Sequence, residues 1–145
     1  MTQETAQRIQ WLKDRYADLH PNVYTKLLEA GGDAAVMAPL GWFETAFLTR
    51  AELSNDPVRK GQGRGNQCHL NTASYYRKNP QRYRIVSGFG LNQDSDGVGC
   101  WRSHSWVFDT KTKEIVETVF PRDLYYGVLL TDEEAEAFAA QYDQS

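Results

Sequence analysis

The apolar residues of this chain change their spacing once, near residue 80, and that switch limits what it can build. Before it, Ala6, Ile9, Leu12, Tyr16 and Leu19 recur every three or four positions, the period that places them on one face of a helix over 2–19. Pro21 suits the first turn of a second helix bearing Val23, Leu27 and Leu28, which Gly31-Gly32 then ends. Residues 33–53 carry no clear period, and 42–48 fit a strand or a short buried helix. From Tyr83 onward β-branched and aromatic residues take over between turn signals, predicting strands at 83–91, 100–108, 115–120 and 125–130. Thr131-Asp132-Glu133-Glu134 is a capping box that opens a last helix, with Ala135, Phe138, Ala139 and Tyr142 facing inward. Helices, then a strand meander, then a closing helix indicate an α+β fold.

Between the helical and strand parts, residues 54–67 contain Pro57, Gly61, Gly63 and Gly65 and read as a loop whose backbone can run close to another group. Asn66 is a fair N-cap and Asn79-Pro80 a stop, so a helix is expected over 68–78. This puts Cys68 in the first helical turn, at the positive end of the dipole, where a thiolate is favoured. Its backbone N–H has no partner within the helix and is free to meet a developing oxyanion. A lone cysteine is ordinarily a small core residue, as expected of Cys100. Placement directly after a glycine loop sets Cys68 apart.

A thiol nucleophile needs a base, and the base needs a partner that fixes its tautomer. His104 lies within 101–107, a strand by composition. Glu117 is flanked by Ile115, Val116, Thr118 and Val119, and a carboxylate among apolar β-formers is costly to bury unpaired. If Asp109 pairs with Glu114 across an even-length loop centred on Lys111-Thr112, Trp106 opposes Glu117. His104 and Glu117 then become diagonal neighbours on one face, ~7–8 Å apart between backbones, within reach of their side chains. An odd-length loop would send Glu117 to the other face.

On these residues the chain resembles the papain-like cysteine proteases. The segment from Gln62 to Cys68 looks like the entry to their catalytic helix, where a Gln-Gly pair stands six residues before the nucleophile. The order Cys68, a strand histidine at His104 and a polar residue on the next strand at Glu117 is that of the wider superfamily, which includes transglutaminases, cell-wall amidopeptidases and cysteine-histidine-dependent amidohydrolases. The similarity spans residues 62 to about 120. It departs at His69-Leu70-Asn71 after the nucleophile, and at Glu117 where papain proper has asparagine. The resemblance implies acyl transfer on a protein or peptide substrate through a Cys-His-Glu triad, on a core in which the Cys68 helix packs against an antiparallel sheet of about four strands. It implies an oxyanion hole made by the Cys68 amide with Gln62 or Gln67, Trp106 beside substrate, and no metal or organic cofactor. Asn71, one turn after Cys68, either contacts substrate or anchors the glycine loop.

Two other function classes use the same residues. Cys68, His69, Cys100 and His104 are zinc-ligand types, but Cys100 and His104 are ~13 Å apart along a regular strand and Cys-His adjacency is atypical. Tyr75, Tyr76, Tyr83, Trp101, Trp106, Tyr125 and Tyr126, interleaved with Arg77, Arg82 and Arg84, fit a recognition groove. Nucleic acid is not the expected partner, because 16 basic against 19 acidic residues leave a net charge of −3. The basic cluster at 77–84 and the acidic one at 132–136 are expected to be solvated faces, and His20 a structural histidine. Two cysteines in 145 residues make no disulfide scaffold. With no apolar run of membrane-spanning length and no signal-peptide pattern, a cytoplasmic protein is expected. It is organised as one domain: a helical part over 1–53, the candidate catalytic core over 62–130 and the closing helix over 131–145. Its oligomeric state is not legible.

Overall fold

The computed structural model describes residues 1–142. The elements run α1 (Gln3–Tyr16), α2 (Pro21–Ala30), β1 (Ala34–Ala35), α3 (Phe43–Arg50), β2 (Glu52–Ser54), β3 (Val58–Lys60), α4 (Cys68–Lys78), β4 (Tyr83–Gln93), β5 (Gly99–Asp109), β6 (Glu114–Glu117), β7 (Leu124–Leu129) and α5 (Asp132–Gln141). The fold is α+β, with five helices and a mixed sheet among the described residues. The strands hydrogen-bond in the order β2-β7-β4-β5-β6-β3, and β1 pairs with β5.

The sheet differs from the expected antiparallel four. The four long strands are there, but β1, β2 and β3 join them, and β1 on β5 and β3 on β6 are parallel pairs. Strands of two or three residues are too short to write an alternating pattern, and β3 lies inside the stretch read as loop. Of residues 42–48, left open between strand and helix, 43–48 belong to α3 and Trp42 is its N-cap.

By its internal contacts the chain divides into two compact units. One comprises Met1–Leu53, Phe89–Ser103 and Arg122–Gly127. Its core gathers Leu12, Ala34, Val98 and Cys100, with Ile9, Tyr16 and Val36 packed against them. The helical period of α1 is therefore real through Tyr16, whereas Leu19, beyond the helix end, is exposed. Phe47 meets Phe89 edge-on at 5.3 Å and Tyr126 at 5.1 Å. Lys26 Nζ donates to the carbonyls of Phe47 and Leu48 in the last turn of α3, the former also accepting the Ala51 N–H. His20 is structural, pairing with Glu44 and accepting the Leu40 N–H through Nε2.

The other unit comprises Ser54–Gly88, His104–Pro121 and the chain from Val128 onward. Here α5, opened by the expected Thr131/Glu134 capping box, packs on α4. The β5–β6 hairpin has the anticipated register: Val107 opposes Val116, Phe108 opposes Ile115 and Asp109 opposes Glu114. Asp109, wholly buried, locks the turn by accepting the N–H groups of Lys111 and Thr112 and by pairing with Arg82 and Arg59 at 2.9 and 3.0 Å. The basic and acidic clusters are not merely solvated, since Arg84 meets Asp132 at 2.7 Å and Arg77 donates to the Ala139 carbonyl. No helix among the described residues is long and apolar enough to cross a membrane.

Candidate active site

Every residue proposed for the triad lies in this second unit. The helix α4 begins at Cys68 as expected, but its N-cap is Gln67, which makes no side-chain cap, rather than Asn66. Asn66 has φ 60, the left-handed region that asparagine tolerates, and turns the chain two residues before the helix. Cys68 is therefore the first helical residue, with its amide free of intrahelical bonds. Behind it, Asn71 anchors the glycine loop: it accepts the Arg64 N–H at 3.0 Å and donates to the Arg64 carbonyl at 2.8 Å. Gly63 lies so close to this clamp that a Cβ would fall 2.4 Å from Asn71 Cγ. Tyr75 Oη accepts the Gln62 N–H, and the Gly61 N–H donates to the Glu117 carbonyl, which ties the loop to α4 and to the end of β6. The two expected oxyanion glutamines differ. Gln62 is exposed, whereas Gln67 keeps its Oε1 buried without a hydrogen-bond partner.

His104 Nε2 and Glu117 Oε1 are 2.8 Å apart, with both side chains at 1% exposure or less. Glu117 Oε2 accepts the Val119 N–H at 3.0 Å, so both carboxylate oxygens are occupied. Trp106 stacks on His104, centroids 5.7 Å apart and planes 30° apart, which fixes the ring from one face. His104 is among the groups that lower the Cys68 thiol. Since Nε2 is committed to Glu117, Nδ1 is the nitrogen left for the sulfur.

Burial pushes the Cys68 thiol up. Hydrogen bonds from His104 and His69, the charge of His69 and the Ser105 N–H more than reverse this and bring it to about 5. Cys100, buried in the first unit's core, is pushed up instead, chiefly by burial. The two thiols are thus separated by environment, one toward thiolate and one toward inert thiol. His69 was read from sequence only as a possible zinc ligand. Its Nδ1 lies 2.7 Å from Ser105 Oγ, and its ring meets Phe138 and Tyr142 of the C-terminal segment. The signal available in sequence was its adjacency to Cys68 in the first helical turn. Among the described residues no three His, Cys, Asp or Glu side chains are grouped to hold a metal ion.

Comparison of the chain with protein-family models, with curated proteins and with solved structures gave no match. Chemically, the site presents a thiolate-prone sulfur at a helix start, a buried imidazole oriented by a buried carboxylate, and a free backbone donor beside the sulfur. Such a set can attack a carbonyl, hold the oxyanion and move one proton.

Proposed function

We propose that this protein is a thiol-dependent acyl-transfer enzyme that hydrolyses an amide or peptide bond through Cys68, His104 and Glu117. The observation that carries this is the buried 2.8 Å bond between His104 and Glu117 behind a thiol held at about 5. His104 Nδ1 takes the thiol proton, and the thiolate attacks the carbonyl carbon. The Cys68 amide then stabilises the oxyanion, with Gln67 the nearer of the two glutamines in sequence. His104 returns the proton to the leaving amine as the C–N bond breaks, and water or an acceptor amine resolves the thioester. Water as acceptor makes a peptidase, amidase or deamidase, and an amine makes a transglutaminase-like transferase. The helix-borne nucleophile, with base and orienting carboxylate on the adjacent strands β5 and β6, is the part we match to a papain-like core. The substrate is proposed to be a protein or peptide, and no step calls for a cofactor.

The test is the pH dependence of site-mapped iodoacetamide labelling in the wild type and in His104→Ala. Cys68 is expected to label with a midpoint near 5 and Cys100 to remain unlabelled. In His104→Ala the Cys68 midpoint should move toward the ~8.5 of a free thiol. Labelling of Cys68 with a free-thiol midpoint in the wild type would remove the basis for an enzyme and favour a binding module instead.

A further inference from the structure

Residues 57–88 carry seven Lys and Arg side chains and no Asp or Glu, in a chain whose net charge is −3. Five of the seven cations are committed. Arg59 and Arg82 pair with Asp109, and Arg84 pairs with Asp132. Arg77 donates to the Ala139 carbonyl and Lys60 to that of Val119. Through their side chains, the two that are left, Arg64 and Lys78, meet no carboxylate or carbonyl among the described residues. Both line one cavity of about 210 Å³ in the second unit, and none of the residues lining it is acidic.

Both cations stand on fixed supports. The Asn71 amide clamps the Arg64 peptide on its two sides, at 3.0 and 2.8 Å. Lys78 Nζ lies over the Tyr75 ring, 5.6 Å from its centroid. Tyr75 is held in turn by the Gln62 N–H at 2.9 Å and by Tyr83, edge-on at 5.2 Å. Ser74, on the same face of α4, adds a hydroxyl. Size and chemistry together choose the ligand. Clefts for whole small molecules run to ~300–1,000 Å³, so this one suits a single side chain, and Tyr75 is already occupied by Lys78 and Tyr83 rather than offering a platform to a base. A guanidinium fork beside an ammonium fits a carboxylate. Along α4, at ~1.5 Å per residue, the lining runs from ~3 Å beyond Cys68 at Leu70 to ~15 Å at Lys78, a span that about four residues of extended peptide cover. We propose that this cavity is a substrate subsite for an aspartate or glutamate side chain within about four residues of the bond that Cys68 attacks. That the bound peptide is a substrate rests on the acyl-transfer reading, whereas the capture of its carboxylate does not.

The experiment is amide chemical-shift mapping of the full chain with three probes: a capped triglutamate peptide, a capped triglutamine peptide and inorganic phosphate. Triglutamate should shift the amides of 62–64 and 70–78 saturably, and triglutamine should not. Arg64→Gln and Lys78→Gln, both at exposed side chains, should each weaken triglutamate binding about fivefold or more. Lys111→Gln removes the same charge from the exposed turn between β5 and β6 and should leave the affinity close to wild type. Equal binding of the two peptides overturns the proposal, as does a loss in Lys111→Gln that matches the cavity variants. Phosphate saturating these amides where triglutamate does not overturns it in favour of a phosphate ligand. Cys68 labelling of the same wild-type protein separates the two readings. A midpoint near 5 without triglutamate binding removes the subsite and leaves the thiol chemistry standing. A free-thiol midpoint with triglutamate bound removes acyl transfer, and with it the role as a substrate subsite, and leaves a carboxylate-binding cavity.

Discussion

The two oxygens of Glu117 have separate partners, His104 Nε2 on one and the Val119 N–H on the other. A glutamine has one acceptor oxygen where the carboxylate has two, so in Glu117→Gln an amide NH2 must face either the imidazole N–H or a backbone N–H that cannot turn away. The expected cost is about 1–3 kcal/mol of stability, from a buried donor left unsatisfied. An imidazolium without its carboxylate also holds a thiolate less well, so the Cys68 labelling midpoint should rise. Urea unfolding together with labelling checks both, and a stable variant with an unmoved midpoint would show that Glu117 does not orient His104. Glu117 was legible in the sequence because a carboxylate among apolar β-formers requires a partner and the even turn at 109–114 sets its face. Gln62 was less so: its resemblance to an oxyanion glutamine is a matter of spacing, and the structure leaves its side chain exposed. His69 was legible only as a zinc-ligand type beside Cys68, not in the contacts it makes. Its partners Ser105, Phe138 and Tyr142 lie 36 or more positions away, and no local pattern encodes such a meeting.

Among the elements, the long ones could be read and the short ones could not. The helix α4 spans the residues its stop signal and cysteine suggested, and the four long strands fall within a few residues of expectation. The strands β1 and β3 exist because β5 and β6 offer them parallel edges, a tertiary circumstance that two or three residues cannot announce. The glycine loop was legible as a loop but not in its attachment, which depends on the Asn71 clamp. This separates its glycines. A Cβ at Gly63 would fall 2.4 Å from Asn71 Cγ, whereas one at Gly65 would meet nothing within 4 Å. Gly63→Ala should therefore displace Asn71 from the Arg64 peptide and cost about 1–3 kcal/mol. It should also broaden or slow Cys68 labelling, because the clamp sits one turn from the nucleophile. Gly65→Ala should leave both unfolding and labelling close to wild type. Equal effects from the two substitutions would mean that the loop is not fixed through Asn71.

At the scale of the whole molecule, two acids, buried Asp109 and half-buried Cys68, should write separate signatures into the pH dependence of stability. Asp109 is held well below the usual carboxylate range, first by its hydrogen bond to Arg82 and also by Arg59 and the turn amides, against the opposing effect of burial. A folded-state value below the unfolded one stabilises the fold above the unfolded value, and that contribution fades as pH falls toward the folded value. For Asp109 the window opens at about 4 and extends downward. Cys68 is also depressed, from the usual thiol range to about 5, so its contribution is complete above about 8.5 and is lost between there and about 5. Thermal unfolding of the wild type, Asp109→Asn and Cys68→Ala from pH 3 to pH 9 tests both signs at once. The wild type's margin over Cys68→Ala should grow as pH rises from 5 to 8.5 and stay level below 5. Its margin over Asp109→Asn should stay level from 5 to 9 and shrink below 4. A margin over Cys68→Ala that is flat across the neutral range would mean that the folded protein does not favour the thiolate. The acyl-transfer proposal would then lose its electrostatic support, whatever becomes of the Asp109 window.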